Sequence, residues 1–208
     1  MELAVLDKTG KDTGRKVTLS DSVFGIEPNE HTVYLDVKQY LANQRQGTHK
    51  SKERNEIVGS TKKLKKQKGS GAARYGDVKS PIFRGGGRIF GPKPRYYGFK
   101  LNKKVKAVAK KSVLSSSLKE DKVIVLEDLK FDAPKTKDFI EVLKGLDLEG
   151  KRVTLVTAHN DNNVYLSSRN VQKVKVVATT EVNTYDLINC SKLVLSESSV
   201  KEIENILS

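Results

Sequence analysis

From residue 123 onward, short apolar runs alternate with stretches of helical period. Val123-Ile124-Val125-Leu126 is a continuous apolar run, as expected for a strand covered on both faces. A helix over about 135–146 follows, with Phe139, Val142, Leu143 and Leu146 on its buried side. Strand 153–157, a helix over 162–169, strand 174–177, a helix near 185–189, strand 193–195 and a last helix over 199–207 complete the alternation. Strands alternating with helices call for parallel pairing through right-handed crossovers. The expected fold class is α/β: a layered fold with a central, mainly parallel four-stranded sheet flanked by helices.

The first part of the chain is less regular. Residues 2–6 read as a short strand, Asp7 to Arg15 as turn-rich, and Val17, Leu19, Val23 and Phe24 as satellite core. A helix starts near Asn29, a suitable cap, and runs to about Asn43 with Val33, Val37, Tyr40 and Leu41 on one face. Another is expected over 102–119, burying Leu101, Val105, Val108 and Ala109. Lys103, Lys104, Lys106, Lys110 and Lys111 cover much of its remaining surface, equally readable as part of a polyanion site or as a solvated face.

Between these two helices the apolar pattern stops. Residues 44–100 hold 16 Lys or Arg against 3 Asp or Glu, whereas the whole chain has 39 against 25 and a net charge of +14. They also hold 10 of the 15 glycines and 3 of the 5 prolines, so the segment cannot bury enough apolar surface to offset its ordering entropy. Such a chain is expected to order only against a polyanion. Tyr75, Phe83, Phe90, Tyr96, Tyr97 and Phe99 are interleaved with the charges. Bases neutralise phosphates, rings and guanidinium planes stack on exposed nucleobases, and glycines permit close backbone approach. A plain solvated linker is the bland alternative. As a hairpin with arms of about 28 residues, the segment would reach at most about 90 Å.

The remaining chemistry is sparse. Gly145-Leu-Asp-Leu-Glu-Gly150-Lys151-Arg152 approaches a phosphate-binding loop, but Arg152 stands where a hydroxyl should hold magnesium and the motif precedes a strand. Gly69-Ser70-Gly71 begins a dinucleotide fingerprint that lacks its third glycine. His31, His49 and His159 have no metal-ligand spacing, and Cys190 reads as a small buried side chain. Asp161-Asn162-Asn163 lies after a strand, where α/β enzymes place sites, but a helix cap is the favoured reading. No catalytic set emerges, and neither cofactor nor metal is expected. One cysteine and no charged-then-apolar leader fit a cytoplasmic chain, and no apolar run approaches the roughly 18–20 residues of a membrane span.

A series of motifs occurs in order along the chain: Arg45-Gln46-Gly47-Thr48, Gln67-Lys68-Gly69-Ser70-Gly71, Lys79-Ser80-Pro81, Arg84-Gly85-Gly86-Gly87, Phe90-Gly91-Pro92-Lys93-Pro94-Arg95 and Leu101-Asn102-Lys103-Lys104. Ala133-Pro134-Lys135-Thr136-Lys137, Arg169-Asn170 and Tyr185-Asp186-Leu187 follow. Over essentially its whole length the sequence resembles the bacterial ribosomal protein L four family of the large subunit. The resemblance implies a single globular α/β domain built from 1–43 and 101–208. It also implies an extended basic loop, 44–100, inserted between two helices and threading large-subunit (23S) rRNA to the nascent-peptide exit tunnel. The implied partners are that rRNA, neighbouring ribosomal proteins including L twenty-two at the tunnel constriction, and the nascent peptide, with no membrane and no homo-oligomer. The implied rRNA-binding residues are Arg45, Lys50, Lys52, Arg54, Lys62, Lys63, Lys65, Lys66, Lys68, Arg74, Lys79, Arg84, Arg88, Lys93, Arg95, Lys100, Lys103 and Lys104. Gln67, Lys68, Gly69, Ser70 and Gly71 match the tunnel-proximal tip, and Lys68 the family's tunnel-wall lysine, associated with macrolide sensitivity. Two departures stand near the tip: Leu64-Lys65-Lys66 where the family usually has Pro-Trp-Arg, and Ala72 where it often has Arg. Some family members also repress their own operon's messenger, so a free RNA-binding regulator is the alternative reading.

Overall fold

A computed structural model describes all residues, 1–208. The chain divides into two compact units, one made of Met1–Leu41 with Lys100–Ser208 and the other of Ala42–Phe99. In chain order the elements are β1 (Glu2–Leu6), β2 (Asp12–Thr18), α1 (Asp21–Phe24), α2 (Glu30–Asn43), α3 (Lys103–Lys119), β3 (Val123–Leu126), α4 (Thr136–Gly145), β4 (Val153–Thr157), α5 (Asn162–Ser168), β5 (Val174–Ala178), α6 (Thr184–Ile188), β6 (Lys192–Ser196) and α7 (Glu197–Leu207).

The sheet has six strands, not the four expected, in the order β2-β1-β3-β6-β4-β5. Five are parallel neighbours, and β2 pairs antiparallel to β1 at the edge. β2 escapes a sequence reading for a physical reason. Its residues, Asp-Thr-Gly-Arg-Lys-Val-Thr, are polar and mostly exposed, because an edge strand needs only one covered flank.

Side-chain alternation along the central strands feeds two cores, one on each face. Leu193 and Leu195 of β6 join Val23, Phe24, Leu114, Leu187, Val200 and Ile203, so α1, α3, α6 and α7 cover one face. Val194 points the other way, into a core with Phe139, Val142, Leu143 and Val164 of α4 and α5. Each such fully buried side chain stabilises the unit by about 1.5–3 kcal/mol.

Two helix faces differ from expectation. In α2 the buried residues are Asp36 and Gln39, and Leu41 is exposed. Asp36 is drawn inward by a hydrogen bond from the Thr184 hydroxyl, and Tyr40 stacks on Tyr185 with centroids 4.9 Å apart. Asn29 does cap this helix, accepting from the Thr32 amide at 3.1 Å. In α3 Val108 is exposed. The buried side is richer in small residues than expected, with Ser112 and Ser115 receiving the amides of Asn29 and Ile26.

Candidate nucleic-acid interface

No residue between 44 and 102 lies in a helix or strand, yet the backbone of the 42–99 unit is paired. The Arg95 amide donates to the Gly47 carbonyl at 3.1 Å, Ser51 to Pro92 at 3.0 Å, Arg88 to Lys52 at 3.0 Å and Leu64 to Gly76 at 3.1 Å. These cross-links all join positions symmetric about residues 70–72, which is the signature of an antiparallel hairpin. Glycine makes the close passages. Gly47 has φ +65°, and a Cβ there would stand 2.0 Å from the Arg95 carbonyl oxygen.

Ion pairs take the place of a core. Not one buried apolar side chain of the protein falls between residues 44 and 100, and only Asp77 and Gly87 are buried there. The three carboxylates are all paired: Glu53 with Lys93 at 2.6 Å, Glu56 with Lys50, and Asp77 with Arg54 at 2.9 Å. The Lys50 ammonium holds the Glu56 carboxyl below its ordinary pKa, and the Glu53 carboxylate raises that of Lys93. Tyr97 sits between two guanidinium groups, Arg45 at 3.9 Å and Arg95 at 4.5 Å from its centroid. Hydrogen bonding from Arg95 and both positive charges lower the Tyr97 phenol pKa. Lys65 lies 4.8 Å from the Tyr75 ring, which stacks on Phe83 at 5.6 Å.

The candidate bases are thus displayed rather than buried. Apart from half-buried Lys79, every one of them is exposed. Arg45 and Arg95 converge on one ring, while Lys50, Arg54 and Lys93 are engaged with carboxylates. Lys52, Lys62, Lys66, Lys68, Arg74, Arg84 and Arg88 carry no carboxylate partner, and Lys63 reaches Gln67. Gly69 and Gly71 have φ +88° and +61° with nothing near a hypothetical Cβ, so they turn the chain in open space. Lys100, Lys103 and Lys104 belong to the other unit. Large apolar side chains are also displayed: Phe90 is 99% exposed, Ile82 86% and Tyr96 81%. The Arg–Tyr–Arg stack and the Arg54–Asp77 pair were not legible in the sequence. Only Arg45 and Tyr97 are placed symmetrically about the centre of the segment; Arg54 and Asp77 are not.

In the other unit the loci that resemble catalytic or nucleotide sites have structural roles. Beyond the carboxyl ends of β3 and β6, where open α/β sheets receive ligands, polar side chains of the chain pair with one another. Asp128 accepts from the Ser198 hydroxyl at 2.6 Å and its amide at 3.2 Å, while Arg15 bridges Glu197 at 2.9 Å and Glu127 at 3.7 Å. Hydrogen bonding to Asp7 raises the Glu127 pKa and lowers that of Asp7. Asp161 caps α5, accepting from the Asn163 amide at 2.9 Å. Gly150, with φ +76°, makes the turn from α4 towards β4, and the Cys190 thiol donates to the Leu187 carbonyl at 3.0 Å.

The profile of the Ribosomal protein L4/L1 family matches residues 17–206. The chain belongs to this family. It is 60% identical over 208 residues to the large ribosomal subunit protein uL4 of Christiangramia forsetii, each chain being covered completely. The proteins of that name from Cytophaga hutchinsonii and Flavobacterium johnsoniae are each 61% identical over the same full length. Membership makes the chain a structural ribosomal constituent and not an enzyme. For a member of the L4/L1 family, the separation seen here is chemically sensible: an apolar core confined to one unit, and a displayed set of bases and rings in the other.

Proposed function

We propose that this chain is a component of the large ribosomal subunit in the cytoplasm that binds large-subunit rRNA through residues 44–100. The observation carrying this reading is a segment of net charge +13 that buries no apolar side chain and is held by a polar hairpin. Its carboxylate-free lysines and arginines neutralise phosphates, and its exposed rings stack on or wedge between bases. The segment orders as it binds, which assists early subunit assembly. Its turn at Gln67, Lys68, Gly69, Ser70 and Gly71 faces the nascent peptide at the tunnel constriction, beside L twenty-two. Lys100, Lys103 and Lys104 continue the rRNA contact.

Sedimentation of a lysate through a sucrose gradient at high salt tests this. Stoichiometric retention in the large subunit is expected, because a threaded segment is not released by screening alone. Release to the top of the gradient would overturn the reading in favour of a free RNA-binding regulator.

A further inference from the structure

A second row of cations lies far in sequence from the basic segment. The turns leading into the parallel strands β3 to β6 each end in a base: Lys122 before β3, Lys151-Arg152 before β4, Lys173 before β5 and Lys192 at the start of β6. Strand order and backbone bonds set these positions side by side. The Leu193 amide donates to the Lys122 carbonyl at 2.9 Å, Lys192 to Arg152 at 3.2 Å and Val153 to Lys173 at 3.0 Å. With neighbouring strands about 4.8 Å apart, the row Lys122, Lys192, Arg152, Lys173 spans about 14 Å along the amino-terminal edge of the sheet.

Three of the four are held without being neutralised. Lys192 donates to the Asp121 carbonyl at 2.5 Å, Lys173 to the Gly150 carbonyl at 3.2 Å and Arg152 to the Asn189 amide oxygen at 2.9 Å. Neutral acceptors fix these heads in place and leave their charge for a partner. Lys122 and Lys175 differ, being paired with Glu120 and with Asp186. Arg152, Lys173, Asn189 and the paired Lys175 and Asp186 also line an open cleft of about 290 Å³ at this edge. The carboxylates of this edge, Glu120, Asp147 and Asp186, are taken up by Lys122, Lys151 and Lys175, so none of them pairs with Arg152, Lys173 or Lys192.

We infer that Arg152, Lys173 and Lys192 form a second nucleic-acid contact, gripping the sugar-phosphate backbone of an RNA strand laid across the amino-terminal edge of the sheet. A phosphate chain fits better than an acidic protein segment, because the edge offers aligned cations and an amide while its neighbouring Val153 and Cys190 are buried. The inference rests on the reading that the chain binds large-subunit rRNA.

The test uses the full chain and naked large-subunit rRNA transcribed in vitro, with affinity measured over a range of salt. The wild type is compared with the edge variant R152Q/K173Q/K192Q and a segment variant, K62Q/K63Q/K66Q. Loss of three phosphate contacts should make the slope of log affinity against log salt shallower by about 2. The edge variant should show this with unchanged circular dichroism, and R152K/K173R/K192R should restore the slope. An edge variant with wild-type slope, while the segment variant is impaired, overturns the second contact and leaves the proposed function standing. Absence of binding by the wild type overturns both. Normal RNA binding by the edge variant with loss of a protein neighbour from assembled subunits also overturns it, assigning the edge to a protein partner.

Discussion

The two units of this chain are organised by opposite means. Residues 1–41 and 100–208 bury Leu193, Leu195, Val156, Phe24 and Phe139 on the two faces of a six-stranded sheet. Residues 42–99 bury no apolar side chain, and are shaped by cross-hairpin hydrogen bonds, carboxylate pairs and rings flanked by cations. Surface ion pairs each contribute at most about 1 kcal/mol and weaken with salt, whereas apolar burial accumulates over the whole core. The first unit is therefore self-sufficient. The second has a shape but little energy to hold it, and draws the rest from an anionic partner.

Two phenylalanines give the widest separation. Phe139 is 1% exposed and Phe90 99%. Phe139→Ala should cost about 3–5 kcal/mol in urea unfolding, and Phe90→Ala no more than about 0.5 kcal/mol. Equal effects would mean that the segment shares the cooperative core. Two glycines sharpen the contrast. At Gly10 and Gly47 alike φ is positive and an added Cβ would stand 2.0 Å from a carbonyl oxygen, of Gly145 and Arg95 respectively. Gly10→Ala should lower global stability by more than about 1 kcal/mol, whereas Gly47→Ala leaves the unfolding midpoint unchanged and weakens RNA binding.

Cys190 offers a chemical probe of the first unit. Burial raises its thiol pKa, so the reactive thiolate is scarce at neutral pH and increases only as pH rises above the ordinary thiol range. Iodoacetamide should modify it slowly in the folded chain and readily in urea; rapid modification of the folded chain would contradict that burial. The smallest effect on stability is expected at the tip. Lys68→Glu should leave unfolding and subunit assembly intact while altering macrolide sensitivity or nascent-chain arrest. Lost assembly without a tunnel phenotype would assign Lys68 to packing against RNA.

Much of the first unit is legible in the sequence because its central strands are covered on both faces. Val123–Leu126 and Val153–Thr157 are read to the residue. β2 is not, since an exposed edge strand carries no apolar run. The buried side of α2 is hidden for another reason: Asp36 turns inward to a hydroxyl 148 residues away, which local periodicity does not encode. In the basic segment, composition reveals the charge and the lack of a core. The pairings of Arg54 with Asp77 and of Arg45 and Arg95 with Tyr97 are long-range choices among many bases and few partners, so composition is silent on them.

Amide hydrogen exchange on the free, full-length chain tests the central contrast most directly. Slow exchange is expected in β3, β4 and β6, and fast, unprotected exchange across residues 44–99 that becomes slow once rRNA is bound. Strong protection of 44–99 in the free chain would contradict the account, showing that a polar hairpin without a buried apolar side chain holds itself.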